Sequence, residues 1–143
     1  MRVSNLLTVK GHDVATISQE RSVSDALATL KERAIGALIV TGPTPPLVGI
    51  FSERDVVRAL AERGASALQA SVAELMSADV TVCNEETTVT ELMGLMTARR
   101  IRHVPVVSDG QLVGMVSIGD VVKARVDELE HEKKELLDYV SAW

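Results

Sequence analysis

The chain has 143 residues, 46% of them hydrophobic, and a formal net charge of −5. That length holds one compact domain or two very small ones sharing a core, and the acidic balance argues against a broad nucleic-acid surface without excluding one small phosphate. Phe51, Tyr139 and Trp143 are its only aromatic residues, so the core must be built from Val, Leu, Ile, Ala and Met, and base stacking on aromatic rings is not the expected mode of binding.

Taken in order, Val3–Leu7 reads as a short helical lead-in. Val14–Ile17 is a short apolar strand, and Ser24–Arg33 a helix with Ala26, Leu27 and Leu30 inward. Ala37–Thr41 and Leu47–Phe51 are paired strands, separated by Gly42–Pro46, whose prolines donate no strand hydrogen bonds. Asp55–Arg63 is the closing helix, and Gly64–Ser71 reads as a linker. The same plan then returns. Val72–Met76 echoes the lead-in, Val80–Cys83 is a strand, and Thr88 or Thr90 caps a helix running to about Arg99 on Leu92, Met93, Leu95 and Met96. His103–Val107 and Leu112–Val116 flank Asp109-Gly110, a strong hairpin signal. A last helix begins near Gly119.

The chain is therefore a tandem repeat of β-α-β-β-α units, in which Asp13 aligns with Asp79, Val40 with Val106 and Leu47 with Leu112. Residues 1–70 hold the first repeat, 71–126 the second, and 127–143 a helical extension. Val122, Val126, Leu129, Lys133, Leu136 and Val140 fall at alternating steps of four and three, a coiled-coil type of seam interrupted at Lys133. It either folds back on its own domain or meets a second subunit.

The sharpest repeated motif is Gly-x-x-Ser-x-x-Asp, as GIFSERD from Gly49 to Asp55 and GMVSIGD from Gly114 to Asp120. Ser followed three residues later by an acid approximates a capping box, which explains the motif with no ligand. The same geometry suits a nucleotide. The helix N-terminus offers N–H groups to phosphate, and the carboxylate accepts from two ribose hydroxyls. The glycine leaves room for a planar base. Arg99 and Arg100 fall at a helix C-terminus, where cations complement the dipole. Arg102 and His103 enter a strand beside the Ser117/Asp120 end and offer positive charge to a phosphate. The first repeat has Gly36 and Ala37 there, leaving Arg54 and the lead-in's Lys10 as its nearby cations. Lone Cys83 aligns with Ile17 and reads as a small buried apolar residue.

These residues, duplicated in this order, resemble a tandem pair of cystathionine-β-synthase (CBS) domains, a Bateman module of stand-alone bacterial type, from about Val3 to Val126. The combination of RIRHVPVV with GMVSIGD carries the resemblance. It implies an α+β fold of two repeats packed sheet to sheet about a pseudo-twofold axis, with two clefts and a disc-shaped homodimer. It implies an adenine nucleotide ligand: AMP first, then NAD(H), ATP or S-adenosylmethionine. By resemblance, Ser117 and Asp120 contact phosphate and ribose, and Ser52 and Asp55 do so in the other cleft. Arg102 and His103 face phosphate, and Val104 and Pro105 flank the base. Backbone near Thr16, Ile17 and Val82 meets the adenine edge. Leu38-Ile39-Val40 replaces Val-Pro-Val in the first repeat, which makes its cleft the more doubtful one.

The resulting expectation is a regulatory nucleotide sensor, not an enzyme, acting on a separate effector protein. The sequence carries no nucleophile–base pair, metal-ligand spacing or P-loop. The alternative is a ligand-free dimeric scaffold whose motifs are only caps. No apolar run approaches the roughly 20 residues of a membrane span, MRVSNLLTVKGHD lacks a signal-peptide core, and an unpaired Cys83 fits a reducing cytoplasm.

Overall fold

In the computed structural model, which describes Met1–Trp143, the first half runs α1 (Val3–Lys10), β1 (Thr16–Ser18), α2 (Val23–Arg33), β2 (Ala37–Thr41), β3 (Gly49–Ser52) and α3 (Glu53–Arg63). The second half runs α4 (Val72–Leu75), α5 (Val89–Arg99), β4 (His103–Ser108), β5 (Gln111–Ser117) and α6 (Ile118–Ser141). The class is α+β with a long C-terminal helix, as expected. The linker expected at Gly64–Ser71 is ordered: Gly64–Gln69 forms a 3-10 helix that buries Ala67.

Strand β2 is central in the first sheet, parallel to β1 and antiparallel to β3. Strands β4 and β5 pair antiparallel with His103 opposite Ser117, and the register shifts between Val106 and Val107. Asp109 and Gly110 join them with φ of 51° and 74°, the left-handed pair that a tight hairpin demands. The expected strand Val80–Cys83 shrinks to a single parallel bridge, Cys83 to Val106. Asn84 ends it: its side-chain oxygen accepts from the N–H groups of Glu86 and Thr87 at 2.9 and 3.1 Å, turning the chain away.

Helices α2 and α5 start on equivalent caps. Ser22 Oγ accepts from Asp25 N at 3.0 Å and Thr88 Oγ1 from Glu91 N at 3.1 Å, so Thr88 rather than Thr90 is the cap. Leu38 and Val40 turn one face of β2 onto α2 and α3; Val104 and Val106 do the same for β4 in the second half. Ala37 and Ile39 lie on the opposite face of β2, in neither cluster, yet are 1% and 0% exposed. Just before β2, a side chain at Gly36 would lie 3.4 Å from the His103 ring of the other repeat.

The lead-ins are exchanged. Val3, Leu6 and Leu7 of α1 pack in the second repeat's core with Cys83, Leu92 and Val116. Val72 packs in the first repeat's core with Val23, Leu38 and Phe51. The division at 70/71 therefore does not follow the cores. Backbone bonds hold the exchange, with Val3 N donating to Thr87 O, Val89 N to Met1 O and Val72 N to Arg21 O. Helix α6 leaves the core early: Val121 and Ala124 are buried, and every residue from Leu129 onward is exposed. The seam does not fold back on its own domain.

Candidate functional site: two clefts between the repeats

Where the repeats meet, two clefts open, each built from both halves. The first, about 490 Å³, lies over the start of α3 and is lined by Ser52, Arg54 and Asp55 together with Arg99, Arg100 and Arg102 across the gap. The second, about 740 Å³, lies over the start of α6 and is lined by Ser117 and Asp120 with Lys10, Asp13 and Arg33 opposite. Gly36 and His103 line both.

At the second cleft the motif forms a complete capping box. Ser117 Oγ accepts from Asp120 N at 3.2 Å, and Asp120 Oδ2 accepts from Ser117 N at 2.8 Å. Lys10 Nζ donates to the same Oδ2 at 2.5 Å and to Met115 O at 2.6 Å. Burial works to raise the Asp120 carboxyl, but the Lys10 hydrogen bond, the two Ser117 contacts and the Lys10 charge outweigh it and hold the group below its ordinary value. Its Oδ1 makes no hydrogen bond within the chain.

Asp55 sits differently. It is 8% exposed. Its Oδ2 accepts from Ser52 N at 2.9 Å and from Ser52 Oγ at 3.2 Å, and its Oδ1 accepts from Ser77 Oγ at 3.2 Å. Ser77 belongs to the lead-in of the second repeat and pairs with Ile50. His103, shared by both clefts, is held below its ordinary value mainly by burial, helped by the Lys10 and Arg102 charges and opposed by Glu53 and Asp120.

Several sequence expectations change place. Arg102 follows α5 beside the Ser117 end of the sheet but lines the Ser52–Asp55 cleft. Lys10, expected as a cation for the first repeat, reaches Asp120 of the second. The first repeat's cleft, expected to be poor in charge, is the arginine-rich one. Arg54 is fixed across it, donating from Nη1 to Arg100 O at 3.0 Å. Thr16, Ile17 and Val82 line neither cleft; Val14 and Ala15, and Val80 and Thr81, do so instead. Ile17 and Cys83 turn into the two cores, which leaves the residues before them at the rim. Val104 and Pro105 are buried and line neither cleft. Gly49 and Gly114 make room for packing rather than for a base. A side chain at Gly49 would lie 2.5 Å from Met76 Sδ, and one at Gly114 2.7 Å from Leu7.

The CBS domain family model matches residues 6–62 and 72–127. The chain belongs to the CBS domain family. As a CBS pair it is similar to the crystal structure of ATU1752 from Agrobacterium tumefaciens, with a TM-score of 0.84 and 47% identity, covering 87% of this chain and 92% of that one. It is 40% identical over 124 residues to the mitochondrial CBS domain-containing protein CBSX3 of Arabidopsis thaliana, covering 83% of this chain and 60% of that protein. It thus spans about three fifths of CBSX3. The CBS pair of MJ0100, solved with 5′-methylthioadenosine and S-adenosyl-L-methionine, has a TM-score of 0.78 and 25% identity over 90% of this chain and 98% of that one. No helix is long and apolar enough to cross a membrane.

Proposed function

We propose that this CBS pair is a regulatory module that binds an adenine nucleotide between its repeats and signals to a separate partner protein. The observation that carries the reading is the duplicated Ser-x-x-Asp helix start, present twice and each time facing a cleft that the opposite repeat completes. Asp120 Oδ1 is a free acceptor for a ribose hydroxyl, and the arginines opposite Ser52 are donors for phosphate. The adenosine ligands in the MJ0100 structure support the class. AMP is the first candidate, followed by NAD(H), ATP and S-adenosylmethionine. A ligand touching both repeats shifts their relative orientation only by its differential affinity for two arrangements. The role is regulatory, not catalytic, and the buried free thiol of Cys83 fits a reducing compartment such as the cytoplasm.

The module works as a homodimer in this reading. The seam residues Val122, Val126 and Leu129 are 50%, 46% and 46% exposed, on a face of α6 separate from buried Val121 and Ala124. A solitary helix of this length is marginal in water, so the seam calls for a partner. A second copy matches its charge: with two α6 helices antiparallel about residues 127 and 128, Lys123 meets Glu130 and Arg125 meets Glu132 of the other copy.

A second reading, the ligand-free dimeric scaffold, is favoured by one observation: the carboxylates are already engaged, Asp120 by Ser117 and Lys10 and Asp55 by Ser52 and Ser77. A thermal-shift and calorimetric panel of AMP, ATP, NADH and S-adenosylmethionine separates the two. A ligand at about 100 times its dissociation constant stabilises by roughly 2.7 kcal/mol. Stabilisation by none of the panel selects the scaffold.

A further inference from the structure

We infer that the two clefts sort ligands by charge: the Ser52–Asp55 cleft takes a phosphorylated adenine nucleotide, and the Ser117–Asp120 cleft an uncharged adenosine derivative. The inference rests on the adenosine reading above and assigns a ligand class to each site.

The asymmetry lies in residues at equivalent positions. Arg54, Arg58, Arg99, Arg100 and Arg102 line the first cleft. None of them has an ion-pair partner. The chain is net acidic and holds 15 Lys and Arg in total, so a third of its basic side chains stand unpaired around one opening. The acids there offset them only in part. Asp55 is turned inward onto Ser52 and Ser77, which leaves Glu53 and Asp79. Guanidinium groups bind phosphate oxygens in pairs, and several in a concave site raise the local concentration of anions.

In the second cleft Gly119 stands for Arg54, Ala34 for Arg100 and Gly36 for Arg102, while Arg99 is answered by Arg33 and Arg58 by Lys123, which does not line the cleft. Arg33 and Asp13 both line it, one charge of each sign, without forming an ion pair. Its ammonium, Lys10, is engaged by Asp120 and Met115 O. Val14, Ala15, Ile35 and Met115 make part of its wall apolar. Such a cleft accepts a nucleoside but gives a phosphate little in exchange for its hydration.

The test is calorimetry on the full chain with ATP, adenosine and inorganic tripolyphosphate, comparing wild type with Arg100→Ala/Arg102→Ala at low and high salt. Both arginines are exposed, and circular dichroism melts verify that the variant folds. Expected are separate sites, with adenosine at saturation leaving ATP affinity unchanged. The double variant weakens ATP and tripolyphosphate at least about tenfold and spares adenosine. Added salt weakens ATP only. Competition of adenosine with ATP for one site, or equal losses for both in the variant, overturns the sorting and leaves the adenosine reading standing. If neither ATP nor adenosine binds, the adenosine reading falls and the sorting with it. Arginine-dependent binding of tripolyphosphate alone likewise overturns both and marks the cleft as a site for some other anion.

Discussion

Asp55 and Asp120 occupy equivalent positions, yet replacing each by alanine is expected to cost different amounts. Asp55 is 8% exposed and accepts three hydrogen bonds, two from Ser52 and one from Ser77. Alanine there strands the Ser52 N–H and the Ser77 hydroxyl in a half-buried setting. At about 1–3 kcal/mol for each donor left unpaired, Asp55→Ala loses about 3 kcal/mol. Asp120→Ala removes one backbone bond of a capping box, worth about 1 kcal/mol. It also removes an ion pair with Lys10 whose side chains are 25% and 35% exposed, which solvent holds to well under 1 kcal/mol. Lys10 keeps its bond to Met115 O, and Ser117 still caps the helix. The gap between the variants is then about 1.5 kcal/mol. With a urea slope of about 2 kcal/mol/M it appears as a difference of roughly 0.7 M between midpoints. Matching midpoints, or an Asp120 variant less stable than the Asp55 variant, would refute the reasoning. The same Asp120→Ala protein is expected to bind adenosine about tenfold to a hundredfold more weakly, from losing charge-assisted bonds of about 1.5–3 kcal/mol. Unchanged affinity would leave the carboxylate as a cap and nothing more.

Because the Asp120 carboxyl is held below its ordinary value, the stability it contributes is complete above the unfolded carboxylate pKa of about 3.9 and fades as pH falls through the folded value. Wild type is therefore expected to exceed Lys10→Met by up to about 1 kcal/mol at pH 7, and the gap is expected to narrow in urea melts as pH falls below about 3.9. Gly114→Ala drives a methyl to within 2.7 Å of Leu7 and is expected to cost about 1–3 kcal/mol. Gly94→Ala, in helix α5 with nothing within 4 Å, is expected to stabilise by about 0.5–1 kcal/mol; thermal melts of the two compare them directly. Removing residues 131–143 is expected to shift sedimentation from dimer toward monomer, and an unchanged profile would assign the seam another role. Burial pushes the Cys83 thiol up to about 11, so a thiol reagent at pH 8 is expected to label it only after denaturant is added.

The elements were legible in the sequence wherever a local rule decides them. Thr88 followed by Glu91, Asp109-Gly110, and the stripe of Leu92 and Met96 each settle a cap, a turn or a buried face from a few neighbouring residues. The partner of each lead-in was not legible. Leu7 fills the space over Gly114 and Met76 the space over Gly49, and an apolar side chain over a glycine reads the same on either sheet. Only the chain path through Thr87 and Arg21 decides which sheet each lead-in covers.

The distribution of charge was hidden for a related reason. Along the chain Arg102 lies near Ser117, and its strand does pair with that end of the sheet. Arg102 stands just before β4, however, outside the strand, and lines the opening over the other repeat's helix start. Arg99 and Arg100, sufficiently explained in isolation by the end of α5, join it there, and Arg54 and Arg58 reach the same opening from α3. Each arginine has an ordinary local reason to be where it is. What no local rule contains is that the arrangement of the two repeats carries all five to one cleft and leaves its counterpart with Arg33 and a lysine already bound to Asp120. Duplication supplied two equivalent frameworks, and divergence at Arg54/Gly119, Arg100/Ala34 and Arg102/Gly36 made them chemically unequal.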